Sequence, residues 1–322
     1  MSYRVLGALV CLLLAVWPAR AEDAFPNRPI RLVVPFATGG PSDIVARLLA
    51  PRMTAVLGQP IIVEARPGAG GVTGMDVVAK ALADGYTIGL GSAGGMAISP
   101  GLLPNMPYDT LRDFAPLTLA VLVPEPLIVP AARPWQNLAD LIAAARARPG
   151  ALNYASAGPG SMPHLAGELL KLAAGIDLTH IPYKGGAPLT LALVAGEADL
   201  GFADLPILLP HLKAGTLRAL AFGGAERFPL LPEVPTFTEL GLPGVKTNNW
   251  HGLFAPARTP EPVLAALHRA ALGALAAPET QRLLNEQGAI PRPLSREAFA
   301  GFVREEVARW AEVIRTAGVK PD

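Results

Sequence analysis

The sequence predicts an α/β fold of two domains, each built round an open, doubly wound sheet, with a ligand cleft between them. Three observations carry this. Short apolar runs alternate with segments of helical spacing through residues 30–92. A second alternation starts near residue 123 and continues to about 223. The remaining tail is helix-rich, with too little strand signal to close a sheet of its own, so it must fold back on the first set. The expected division is a first domain of residues 22–122 and 248–322 and a second of 123–247. The chain then crosses between them near 117–128 and near 245–254.

Residues 1–21 stand outside that fold. Arg4 supplies a positive start, "VLGALVCLLLAVW" an apolar core too short to span a bilayer, and "ARA" a small-x-small exit. This is the pattern of a secretory signal cleaved after Ala21, which places the mature chain in the periplasm. Cys11, the only cysteine, lies inside the segment, away from the end of the apolar run where a lipoprotein signal would put it. The mature chain is thereby without disulfides, thiolate chemistry or Cys-ligated zinc. Removal of the segment takes away Arg4 and Arg20 and no acid, leaving 25 basic against 26 acidic residues, net about −1. Near-neutral charge without a basic block argues against a nucleic-acid partner.

In the first set, "IRLVVPF" suits a buried parallel strand, "DIVARLLAPRMTAVLG" a helix with a glycine stop, and "PIIVEARP" the next strand. "GAGGVTGMDVVAKALADG" begins glycine-rich and becomes helical, and "YTIGLGS" is a third strand. The second set follows "PYDTLRDFAPLTLA". It reads as strand "PLIVP", helix "NLADLIAAARARPG", strand "LNYASAG", helix "MPHLAGELLKLAAG" and strand "LTHIPY". Helix "GGAPLTLALVAGEAD", strand "LGFAD", helix "LPILLPHLKAGT" and strand "LRALAFG" complete it. The tail comprises a strand at "GLFAP" and helices "PEPVLAALHRAALGALAA", "PETQRLLNEQG" and "SREAFAGFVREEVARWAEVIRTAG". The 34 prolines fall mainly at strand ends, loops and helix starts, where a missing N–H costs little.

The loops carry the chemistry. "FATGGPSD" joins the first strand to the first helix and has no lysine, so it is no phosphate loop; it also lacks the dinucleotide spacing. It can offer backbone N–H groups at Gly39 and Gly40, hydroxyls at Thr38 and Ser42, and the partial positive charge of a helix start. Asp43 suits a cap or an acceptor for the loop better than an anion ligand. The same construction recurs at "GSAGG" (residues 91–95), "ASAGPGSMPH" (155–164) and "YKGGAP" (183–188), where Lys184 is the only cation. Four such turns split between two facing domains point to a cleft for a small polar ligand.

Catalysis has little support. "GPGSM" around Ser161 is not a nucleophile elbow, and a hydrolase using Ser161 and His164 lacks a recognisable base–acid arrangement. Ser161 reads as a helix cap that can also touch ligand. His164 is open between ligand donor and packed histidine, and Asp204 between helix cap and acceptor for a ligand amine or hydroxyl. No histidine has metal-ligand spacing, so no metal and no cofactor are expected. Trp250, in "NNWHGLFAP", reads as packing at the hinge rather than cleft wall.

Long ordered motifs resemble a known family: "FPNRPIRLVVPFATGGPSDIVARLLA", "LGQPIIVEARPGAGGVTG", "ADGYTIGLGS", "MPYDTLRDFAP", "LNYASAGPGSMPHLAGELL", "HIPYKGGAP" and "LPEVPTFTELGLPG". Across Phe25 to about Gly318 the chain is similar to the solute-binding proteins of tripartite tricarboxylate transporters, the Bordetella uptake gene family. The resemblance implies a type II periplasmic binding protein-like fold and a monomer without cofactor. It also implies a small carboxylate ligand (a di- or tricarboxylate, acidic amino acid or aromatic acid) and delivery to a two-component membrane permease. A carboxylate sensor presenting its closed form to a membrane signalling partner would use the same cleft. Carried over by position, ligand contacts come from Phe36, Thr38, Gly39, Gly40, Asp43, Ser92 and Ala93 on one side. Ser156, Gly158, Gly160, Ser161, His164, Gly185, Ala187 and Asp204 supply the other. Thr38, Pro159 and Met162 depart from residues common in relatives, and a less polar pocket of this kind would favour an aromatic or larger carboxylate over citrate.

Overall fold

A computed structural model describes residues 25–224 and 226–320; the expected signal segment and its cleavage site lie outside the described residues. The first set of elements is β1 (Ile30–Val34), α1 (Pro41–Leu57), β2 (Ile61–Ala65), α2 (Val72–Ala79) and β3 (Thr87–Ser92). A 3₁₀ turn at Ala69–Gly71 precedes α2, and a π-helical turn at Gly94–Ile98 leads into the short α3 (Ser99–Leu102). β1 pairs in parallel with both β2 and β3.

The sequence reading assigns no strand to residues 114–124, and the structure places its longest one there, β4 (Phe114–Pro124). Pro116 and Pro124 make that stretch look like a connection, since proline removes a ladder donor. The chain passes straight from β4 through Glu125 into β5 (Pro126–Pro130) of a second sheet. There follow α4 (Leu138–Ala147), β6 (Asn153–Ser156), α5 (Met162–Ala174), β7 (Thr179–Pro182) and α6 (Gly186–Ala195). β8 (Leu200–Phe202), α7 (Leu205–Lys213) and β9 (Leu217–Phe222) complete this half. After residue 222 the chain returns as β10 (Asn248–Pro256), then α8 (Glu261–Ala276), α9 (Pro278–Glu286), β11 (Ile290–Pro291) and α10 (Arg296–Ala317).

The six-stranded sheet has the order β11-β4-β10-β3-β1-β2 and the five-stranded sheet β7-β6-β8-β5-β9. Both are mixed. β10 runs antiparallel between β3 and β4, and β5 antiparallel between β8 and β9. These are the strands that border the two passages between sheets, and a chain that enters and leaves each sheet at one end must reverse direction there.

Each sheet is buried on both faces, and strand alternation deals residues to each. Ile30, Leu32 and Val34 pack with α1 and α8, while Val33 joins Met75, Phe254 and the α10 residues Phe299 and Trp310. In the second sheet Leu127 and Val129 face α4 and α5, and Ile128 faces α6 and α7. The tail therefore completes the first core, as its composition demands. No helix among the described residues is long and apolar enough to cross a membrane.

Trp250 is a packing residue. Its Nε1 donates to Glu306 Oε2 at 2.9 Å, and the Trp310 Nε1 donates to the same oxygen at 3.2 Å. Glu306→Ala leaves two buried indole N–H groups without an acceptor and is expected to destabilise by about 2–3 kcal/mol. The lower urea midpoint, with unchanged slope, checks this.

Candidate functional site

Four helices begin at one cavity between the two sheets. From the first side, β1 turns through residues 35–40 into α1, whose opening residues Pro41 and Ser42 line the cavity beside Phe36 and Ser92. From the second side, Ser161, Met162 and Pro163 at the start of α5, Gly186 at the start of α6 and Asp204 just before α7 complete the wall. Proline at the first helical positions of α1 and α5 is preset for the helix and sacrifices no donor. The lining contains no Lys or Arg. A helix start supplies unpaired N–H groups and partial positive charge, so several together can seat an anion without a cation. The space between the walls is about 20 Å³, room for about one water, so a carboxylic acid enters only if the walls part.

A polar chain crosses the cavity wall. Ser42 Oγ meets His251 Nδ1 at 3.2 Å, and His251 Nε2 meets Asp204 Oδ2 at 3.0 Å. Asn249 Nδ2 donates to Asp204 Oδ1 at 2.9 Å. Asp204 belongs to the second sheet's half, whereas Asn249 and His251 sit on β10 of the first. Glu125 lies beside them in the passage between β4 and β5. The Thr247 hydroxyl donates to its carbonyl at 2.7 Å and so ties the outgoing chain to the returning one. The Glu125 side chain is fully buried; neither carboxyl oxygen makes a well-formed hydrogen bond, although Asp204 and Asn249 lie close enough to interact with it. Burial, and then the neighbouring Asp204 carboxylate, push the Glu125 carboxyl well above its ordinary range.

Of the residues expected from the sequence, Phe36, Ser92, Ser161 and Asp204 line the cavity, and Gly186 does so between Gly185 and Ala187. Thr38 and Gly39 are exposed on the loop above α1, with Gly40 its N-cap. Asp43 works from below: its Oδ2 accepts from Gly39 N–H at 3.0 Å and from Arg47 at 2.8 Å. Ala93 is buried behind Ser92. Ser161 caps α5, its Oγ accepting from His164 N–H at 3.4 Å. Asp204 precedes α7 but makes no capping bond; its carboxylate is engaged by Asn249 and His251.

Several of the expected residues lie behind the wall. Ser156 Oγ accepts from Gly158 N–H at 3.0 Å and touches His180 Nε2 at 2.6 Å. His164 Nδ1 accepts from Gly160 N–H at 3.2 Å while its ring stacks on His180 at 4.4 Å. Ser161 Oγ thus bonds the His164 backbone. Gly158, Gly160 and Gly185 instead bring the two halves into contact. A Cβ on Gly160 would lie 2.5 Å from Ser99 Oγ, one on Gly158 3.5 Å from Gly70 N, and one on Gly185 3.6 Å from Ala37 N.

Glu125, Asn249 and His251 were not singled out from the sequence as cavity residues. Alternation in "NNWH" places Asn249 and His251 on the face opposite Trp250, which was a usable signal. Glu125 was signalled only by being a lone acid within the apolar run "VLVPEPLIVP".

Comparison with known proteins agrees with this architecture. Residues 45–319 match the family model described as tripartite tricarboxylate transporter family receptor. The chain is similar to the periplasmic binding protein BugD, 37% identical with a TM-score of 0.89 over 92% of this chain and 99% of that one. It is similar to MatC from Rhodopseudomonas palustris with bound malate, 37% identical, TM-score 0.87, covering 90% and 100% of the two chains. It is also similar to R. palustris Rpa4515 with adipate, 38% identical, TM-score 0.89, covering 92% and 100%. The chain belongs to the tripartite tricarboxylate transporter receptor family, whose members are periplasmic solute-binding proteins.

Proposed function

We propose that this protein captures a small carboxylate in the cavity between its sheets and delivers it to a two-component membrane permease. The observation that carries the reading is the meeting of four helix starts on a cavity whose lining has no Lys or Arg. Relatives solved with malate and with adipate support carboxylate as the ligand class. In this reading residues 22–122 with 248–322 form one jaw and 123–247 the other, the leader is removed after Ala21, and the monomer closes on its ligand. Phe36, Ser92 and Ser161 are the side-chain contacts, and the N–H groups opening α1, α5 and α6 hold the carboxylate. The glycines at 39, 40, 158, 160 and 185 allow the loops to close.

A thermal-shift series with mono-, di- and tricarboxylates tests the capture step. A ligand at a hundredfold over its Kd should stabilise the folded form by about 2.7 kcal/mol. Silence from every carboxylate in the series would overturn the reading. Delivery predicts that cells lacking this chain lose uptake of the same acid while keeping the permease.

A further inference from the structure

The cavity has two chemically different walls. One is donor-rich: the starts of α1, α5 and α6, with hydroxyls at Ser92 and Ser161. The other holds two acids and no basic side chain except His251, whose Nε2 and Nδ1 are already engaged by Asp204 and Ser42. Both Asp204 oxygens have donors, from Asn249 and His251. Neither Glu125 oxygen makes a well-formed hydrogen bond, with Asp204 and Asn249 close beside it, although the side chain is fully buried and lines the cavity. A buried acceptor without a donor is costly, and a donor arriving with the ligand removes that cost. No group of three His, Cys, Asp or Glu among the described residues is placed to hold a metal ion, and an organic donor is a partner that fits.

Resting on the carboxylate reading above, we infer that the ligand is an amino carboxylate. Its single carboxylate lies on the helix starts, and a cationic amine at its far end sits against Glu125 beside Asp204. A second carboxylate at that end would meet two acids and no cation, an unfavourable approach at short range in a closed site. An ammonium brings up to three donors and a compensating charge. Phe36, Met162 and Pro163 line the same cavity, which suits an aliphatic spacer between the two ends.

Calorimetric titration of the full mature chain with length-matched probes tests this: 4-aminobutyrate, 5-aminovalerate and 6-aminohexanoate against succinate, glutarate and adipate, with butyrate, valerate and hexanoate as references. Within the chain length that fits best, the amino acid is expected to bind at least tenfold tighter than the dicarboxylate and than the monocarboxylate. Glu125→Gln should reduce that preference to less than threefold. A dicarboxylate preferred over its amino counterpart would overturn the inference, since Glu125 would then be serving protonated as a donor. A preference surviving in Glu125→Gln would also overturn it. Either result leaves the carboxylate reading standing. Failure of all nine probes, or equal binding of the matching alkylamines, would remove the carboxylate reading and this inference together.

Discussion

Gly70→Ala is expected to lower affinity for the proposed carboxylate ligand roughly a hundredfold while the protein remains folded. Gly70 lies in the 3₁₀ turn before α2, with φ +61°, and a Cβ there would stand 2.4 Å from Pro159 O and 3.0 Å from Ser161 N. Pro159 and Ser161 belong to the opposite half, so the added methyl forces the halves apart at the point where they meet. Backbone atoms cannot rotate away as a flexible side chain can. Gly58 provides the control, because its φ is +71° and a Cβ there has nothing within 4 Å. Gly58→Ala carries the left-handed strain of about 1 kcal/mol without the wedge. Ligand titration of the two variants separates the causes: affinity falls in Gly70→Ala and not in Gly58→Ala. Equal affinity in both would mean that this contact plays no part in closure.

The largest stability effects are expected in the acid cluster, with opposite signs. Asp204→Ala leaves the Asn249 amide and the His251 Nε2 without their shared partner and cuts a link between the halves. A loss of about 2–4 kcal/mol is expected. Glu125→Gln should be stabilising, and increasingly so as pH rises. Because burial and Asp204 raise the Glu125 carboxyl in the folded protein, folding takes up a proton above the ordinary carboxylate pKa. The stability this group contributes is complete below about pH 4 and is lost as pH rises through its raised folded value. Glutamine cannot ionise, so the variant escapes the loss. Urea unfolding at pH 4, 6 and 8 should show the variant and parent converging at pH 4 and the variant ahead at pH 8. Parallel curves would show that Glu125 does not titrate in that range.

The strand and helix alternation was legible because burial on both sheet faces leaves continuous apolar runs, as in "IRLVV" and "PLIVP". What the sequence hid follows from pairing between distant segments. β4 carries two prolines and looks like a connection, yet it is held by β10 from more than a hundred residues away. The mixed direction of both sheets is equally a matter of long-range pairing, which local pattern does not encode. At the site, loops rich in glycine and hydroxyls announced themselves around Ser92 and Ser161. Their glycines proved harder to read: glycine at a contact between halves and glycine beside a ligand look the same in sequence. Glu125 and His251 come together only when the two chain passages lie side by side, and Asp204 gains its role from them. Asp43 was readable because its partners, Gly39 and Arg47, are within four residues.

The most direct test is a crystal structure of the protein purified from its native cells without denaturation, retaining whatever ligand it carries. One small carboxylic acid is expected between the two sheets. One of its carboxylates should accept hydrogen bonds from the N–H groups that open α1 and α5 and from Ser92 or Ser161. A carboxylate bound elsewhere on the molecule, or a cavity occupied by a ligand with no carboxylate on those helix starts, would contradict it.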